Sequence, residues 1–170
     1  NGVGTAAGAK GLKHNVASLV TSIIGDISIT GASSLAEGIE FNFGADITST
    51  GAGTDAADIL LIGTGSGVGV RLHNANGVIT TVDGDVTLNG TSTSDFGVAV
   101  GADFVITATG DGKVDVDGDG VTTGVTIGDA GATGKIQTFS GLVDIASPDN
   151  VIITSTGSIV SASGNVTITA

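Results

Sequence analysis

Asp85-Val-Thr-Leu-Asn-Gly90 is echoed 28 residues later by Lys113-Val-Asp-Val-Asp-Gly118 and anticipated 27 residues earlier by Asp58-Ile-Leu-Leu-Ile-Gly63. Working outward, the same word recurs as Asp26-Ile-Ser-Ile-Thr-Gly31, Leu142-Val-Asp-Ile-Ala-Ser147 and Asn165-Val-Thr-Ile-Thr-Ala170. Start-to-start spacings are 32, 27, 28, 29 and 23. Side chains alternate across a strand, so positions two apart share a face. One inward column then reads Ile27, Ile59, Val86, Val114, Val143, Val166. The next reads Ile29, Leu61, Leu88, Val116, Ile145, Ile168, and neither contains a polar residue.

Two more families keep step with the first. The second begins at Leu12, Ile39, Val70, Val98, Val125 and Val151, and the third is centred on Val20, Ile47, Ile79, Ile106, Ile136 and Ile159. Three strands per period, separated by Gly, Asn, Asp or Ser, predict an all-β fold: a three-sided parallel β-helix, or β-solenoid, of about six coils of roughly 28 residues. A hairpin-based sandwich would account for alternation but not for a three-family period. Stacked at about 4.8 Å, six coils predict a rod roughly 29 Å long. A single unit spans residues 1–170, with 25–170 as regular coils and 1–24 as a first coil or a cap. Val16-Ala-Ser-Leu-Val-Thr-Ser-Ile-Ile24 also reads as a short amphipathic capping helix, although its register fits the period as a strand. The longest repeat places insertions at Gly31–Gly38 and Gly51–Asp58.

Composition agrees. The chain has 170 residues, 30 of them Gly, one Pro, and no Cys, Met, Trp or Tyr. Val, Ile and Thr dominate over helix formers, which favours strands. The 15 Asp and 2 Glu against 4 Lys and 1 Arg give a net charge of −12. Such a surface repels phosphate backbones and anionic lipid, so neither nucleic acid nor an acidic membrane is expected as a partner. No apolar run is long enough for a transmembrane helix. The chain starts without a signal peptide, as expected of a mature product or a segment of something longer. Ala170 directly follows a strand, so the expected partners are the rest of a longer chain or copies of itself stacked end to end.

Asn1-Gly-Val-Gly-Thr5, Gly11-Leu-Lys, Val16-Ala-Ser-Leu-Val20 and Gly25-Asp-Ile-Ser-Ile29, with Gly124-Val-Thr-Ile-Gly128 and Gly164-Asn-Val-Thr-Ile168, resemble the repeat region of filamentous-haemagglutinin-like giant bacterial surface adhesins. The resemblance implies export to the cell surface, a right-handed β-helix shaft, and a structural role in adhesion, biofilm or surface fibres. No enzymatic activity is expected. The Asn-Pro-Asn type motif of that family's secretion domain is not found, the single proline being Pro148.

Candidate chemistry centres on Asp115, Asp117 and Asp119, which have the 1-3-5 spacing of a calcium loop followed by Gly120. Thr126 stands at position twelve instead of Glu, which excludes an EF-hand. On a strand, Asp115 and Asp117 face outward together, and Asp144 is expected one coil above Asp115. Carboxylates so close repel unless a cation lies between them, which makes Asp115, Asp117, Asp119 and Asp144 the candidate Ca2+ ligands. The alternative function is therefore a Ca2+-dependent module for surface glycans or for assembly. The competing reading is a solvated acidic face.

Other motifs are weaker. Polysaccharide-degrading β-helices pair carboxylates in an aromatic-lined groove. Here Phe41, Phe43 and Phe104 read as core, Phe139 as outward and Phe96 as a turn residue. Lys13-His14 and Arg71-Leu72-His73 read as an exposed, modestly basic strip, and two His without Cys make no zinc signature. Gly63-Thr-Gly65-Ser-Gly67 lacks the phosphate-binding Lys. Outward Thr48, Thr50, Thr80, Thr107 and Thr109 suggest a water-ordering ladder, broken at Val82, Gln137 and Phe139, or ordinary β-propensity.

Overall fold

In the computed structural model, which describes residues 2–4, 6, 8–73, 76–128 and 133–170, the chain is a three-sided parallel β-helix. Strand β1 (Gly2–Gly4) lies in sheet A, after which the chain runs through sheets B, C and A six times. The rungs are β2 (Leu12–His14), β3 (Ser18–Ser22) and β4 (Ile27–Ser33); β5 (Ile39–Phe41), β6 (Ala45–Ser49) and β7 (Ile59–Gly65); β8 (Val70–Leu72), β9 (Val78–Thr81) and β10 (Val86–Ser92). They continue with β11 (Phe96–Val100), β12 (Phe104–Ala108) and β13 (Val114–Gly120); β14 (Thr123–Ile127), β15 (Gly134–Thr138) and β16 (Val143–Ala146); β17 (Val151–Ile153), β18 (Gly157–Ser161) and β19 (Val166–Thr169). Each strand pairs in parallel with the strand three places on, so each coil's backbone groups are satisfied by its neighbours.

The register is the one the repeat predicts. Ile59 pairs with Val86, Val86 with Val114, and Val114 with Val143. In sheet B, Val70 pairs with Val98 and Val98 with Val125; in sheet C, Ile79 pairs with Ile106 and Ile106 with Ile136. These side chains fill a continuous core in which Leu61, Leu88, Val116 and Ile145 are wholly buried. Burial of each such aliphatic side chain is worth about 2 kcal/mol, which sets the cost of breaking a column.

Some details bear out the sequence reading and others amend it. Residues 18–22 form β3, paired with β6, so this segment is a coil strand and not a capping helix. The 3-10 turn Gly53–Asp55 lies in the insertion at 51–58. Phe41 and Phe104 are core, but Phe43 is 53 % exposed with φ of 57°, because a left-handed turn ends the alternation after Phe41. Phe96 is not a turn residue; it opens β11 and pairs with Thr123. Asn1 and Thr5 of the resemblance lie outside the described residues.

The sheet A strands continue past the glycine that closes each word. Gly31, Gly63, Gly90 and Gly118 form a buried column facing Gly38, Gly69, Gly97 and Gly124 at a narrow corner where sheets A and B nearly touch. A β-carbon on the first four would lie 2.3, 2.0, 2.1 and 2.1 Å from the opposing glycine carbonyl oxygens. At another corner, Asp side chains stitch coil to coil. The backbone N–H of Asp58 donates to Asp26 (3.0 Å), that of Asp85 to Asp58 (2.7 Å) and that of Lys113 to Asp85 (2.9 Å). Part of the acidity is thus structural, since a short carboxylate reaches a backbone donor one coil away.

Candidate functional site

Sheet A's outer face carries the acidic residues. Asp115 and Asp144 are direct register partners on β13 and β16. Asp117 is partnered by Asn89 on one side and Ala146 on the other, and Asp119 by Thr91. Asp117 and Asp119 line an open trough of about 360 Å3 with Asn89, Thr91, Ser147 and Pro148. Burial first, then the charges of Asp115 and Asp144, push the Asp117 carboxyl above its ordinary value, against the pull of Lys113. The Lys113 ammonium lies 3.4 Å from Asp115 and 4.0 Å from Asp85. A side-chain cation therefore already neutralises part of this face. Among the described residues, no three His, Cys, Asp or Glu side chains gather as a metal site. The fold brings Asp115 and Asp144 into register, and sets Asp117 and Asp119 two and four residues farther along the strand.

Sheet B's outer face holds what the sequence reading missed. The expected basic strip is an ion-pair network across three coils, because both glutamates of the chain stand between the basic residues. Lys13, Glu40 and Arg71 are successive register partners. Lys10 Nζ lies 2.7 Å from both Glu37 and Glu40, Arg71 Nη1 is 3.2 Å from Glu37, and His73 Nε2 is 3.3 Å from Glu40. Glu40 is only 4 % exposed. Burial pushes its carboxyl up, but the Lys10 hydrogen bond and charge, aided by His73, outweigh this and hold it below its ordinary value. Glu37 behaves alike through Lys10 and Arg71. Burial and the Arg71 charge push His73 below its ordinary value, against Glu40. The alternation of sign in Lys13–Glu40–Arg71 was available from the register. His14 does not belong to the strip: it pairs with Phe41 in an inward column, the two rings 5.7 Å apart.

On sheet C, Thr21, Thr48, Thr80 and Thr107 form one outward column that ends at Gln137, whose amide donates to Thr107 at 2.9 Å. Phe139 is exposed. No helix among the described residues is long and apolar enough to cross a membrane.

The class defined by these features is a parallel β-solenoid with polar and charged columns on its outer faces. Comparison with protein-family models, curated proteins and solved structures gave no match.

Proposed function

We propose that the chain is a structural and adhesive length of an extracellular bacterial surface fibre, acting as a stiff stacked-coil rod. The observation that carries this is unbroken register: three columns of side chains run through six coils without a polar interruption in the central rungs. Such a stack resists bending because deformation must break backbone ladders on three sides together. The resemblance to filamentous-haemagglutinin-like repeats supports export and a surface setting. Inward residues of the outermost rungs, among them Val20, Ile153, Val166 and Ile168, are 40 to 45 % exposed. In a fibre the next length of shaft, or a second copy, covers them. Circular dichroism should give a strand spectrum, and electron micrographs of the native assembly should show thin rods. A helical spectrum, or globular particles, overturns the reading.

A second reading, a Ca2+-dependent module for glycan binding or assembly, draws on the Asp115–Asp144 register pair beside Asp117. A calcium titration followed by thermal melting tests it, as argued below.

A further inference from the structure

Beyond the rod, the outer face of sheet B carries a small groove of about 170 Å3. That is smaller than the sites of drug-sized ligands, so the groove has room for one small ring and not for a larger ligand. Its floor follows the column that descends from Glu40: Arg71, Ala99 and Thr126 are successive register partners, so the floor steps from a guanidinium to a methyl to a hydroxyl. The half-buried Phe96, its neighbour Asp95, and His73 also line it.

The polar groups here are not spent on one another. The Asp95 carboxylate and the Thr126 hydroxyl make no hydrogen bond to any described residue. Arg71 directs one nitrogen, Nη1, to Glu37, and its other side-chain donors bond no described residue. An apolar ring face flanked by an acceptor, a hydroxyl and a planar donor matches one ligand chemistry closely. A pyranose ring presents a patch of C–H groups on one face and hydroxyls that both donate and accept around its edge. Charge narrows the class. Arg71 is paired with Glu37, Asp95 adds a negative charge to the lining, and the molecule carries a net charge of −12, which repels anions at range. We propose that this groove binds a neutral hexose unit of a glycan, with Phe96 under the ring and Arg71, Asp95 and Thr126 holding its hydroxyls.

The probes are maltotriose, cellotriose and lactose, with trigalacturonate as the acidic counterpart, followed by saturation-transfer NMR in excess EDTA. Transfer to at least one neutral sugar is expected. Phe96→Ala should weaken that binding about tenfold by removing the stacking face. Ala99→Leu, an outward substitution that fills the floor and leaves Phe96 in place, should abolish it with the strand spectrum unchanged. Absence of transfer from all three neutral sugars, preference for trigalacturonate, or binding that survives both substitutions overturns the proposal. So does a requirement for calcium, which would shift recognition to the Asp115 face. An intact strand spectrum without binding retires the groove alone, whereas loss of the strand spectrum retires the rod.

Discussion

Gly90 and Gly53 show how differently one residue type can matter in this chain. A β-carbon on Gly90 would lie 2.1 Å from the Gly97 carbonyl oxygen and 2.7 Å from Val98 Cγ2, both fixed in the core corner. Gly53 has φ of +73° but open space around it. Gly90→Ala should therefore cost about 3 kcal/mol, since backbone has to move. Gly53→Ala should cost about 1 kcal/mol, the strain of a left-handed alanine. Urea midpoints of the two variants check the contrast; equal losses would mean the corner is not closed. Glu40 and His73 set an acid limit at the same scale. Glu40 and Glu37 have depressed folded values, so their contribution is present above the ordinary 4.5 and is lost as pH falls through the folded value. His73, also depressed, favours the folded state while neutral and opposes it once the unfolded chain protonates below 6.5. Stability should decline first below pH 6.5 and more steeply below 4.5. Glu40→Gln should cost about 2 kcal/mol at neutral pH, because Lys10 loses a close charged acceptor, and should flatten the lower limb. Melting temperatures across pH for both proteins decide it; an unchanged lower limb would remove Glu40 from the account.

Strands β13 and β16 pose the question of what the acidic face does. Asp115 opposite Asp144 is a like-charge cross-strand pair, and such pairs destabilise by about 0.5 kcal/mol. Asp144→Thr should therefore raise the melting temperature slightly in EDTA. If calcium lies between these carboxylates, millimolar calcium should raise the melting temperature of the parent protein. That rise should vanish in both Asp115→Ala and Asp144→Thr. No response to calcium leaves repulsion, relieved in part by Lys113, as the whole description. The elements themselves were legible in the sequence because the two-residue alternation and the repeat reinforce one another. Ile27, Ile59, Val86 and Val114 fall in one column by either criterion. The glycine corner was not legible as such, since Gly at the end of Val86-Thr-Leu-Asn-Gly90 reads as a turn until the opposing Gly97 is seen against it. Phe43 was misread because alternation alone does not reveal a left-handed turn. The sheet B groove escaped notice because its parts, Arg71, Phe96 and Thr126, come from three different coils and share no local motif.

At the scale of the whole molecule, the coils differ in how much covers them. Val116 on β13 is fully buried, with strands above and below. Ile168 stands in the same column on β19, which pairs on one side only, and is 45 % exposed. A stack of this kind is held by neighbour interfaces, so opening should start at the outer rungs and spread inward. Amides of β10 and β13 should exchange slowest, and those of β3 and β19 fastest. Substitution separates this from a uniformly stable rod. Val116→Lys buries an unpaired ammonium in the dry centre and should abolish cooperative folding. Ile168→Lys can turn its charge to water and should leave the melting transition within a few degrees of the parent. If copies of the chain associate through this rung, sedimentation of the parent should show concentration-dependent growth, and Ile168→Lys should remove it by placing charge on the apolar edge. Growth that persists in Ile168→Lys would place the contact elsewhere. Equal damage from both lysines would mean that β19 is as well covered as β13, contrary to the exposure of its inward side chains.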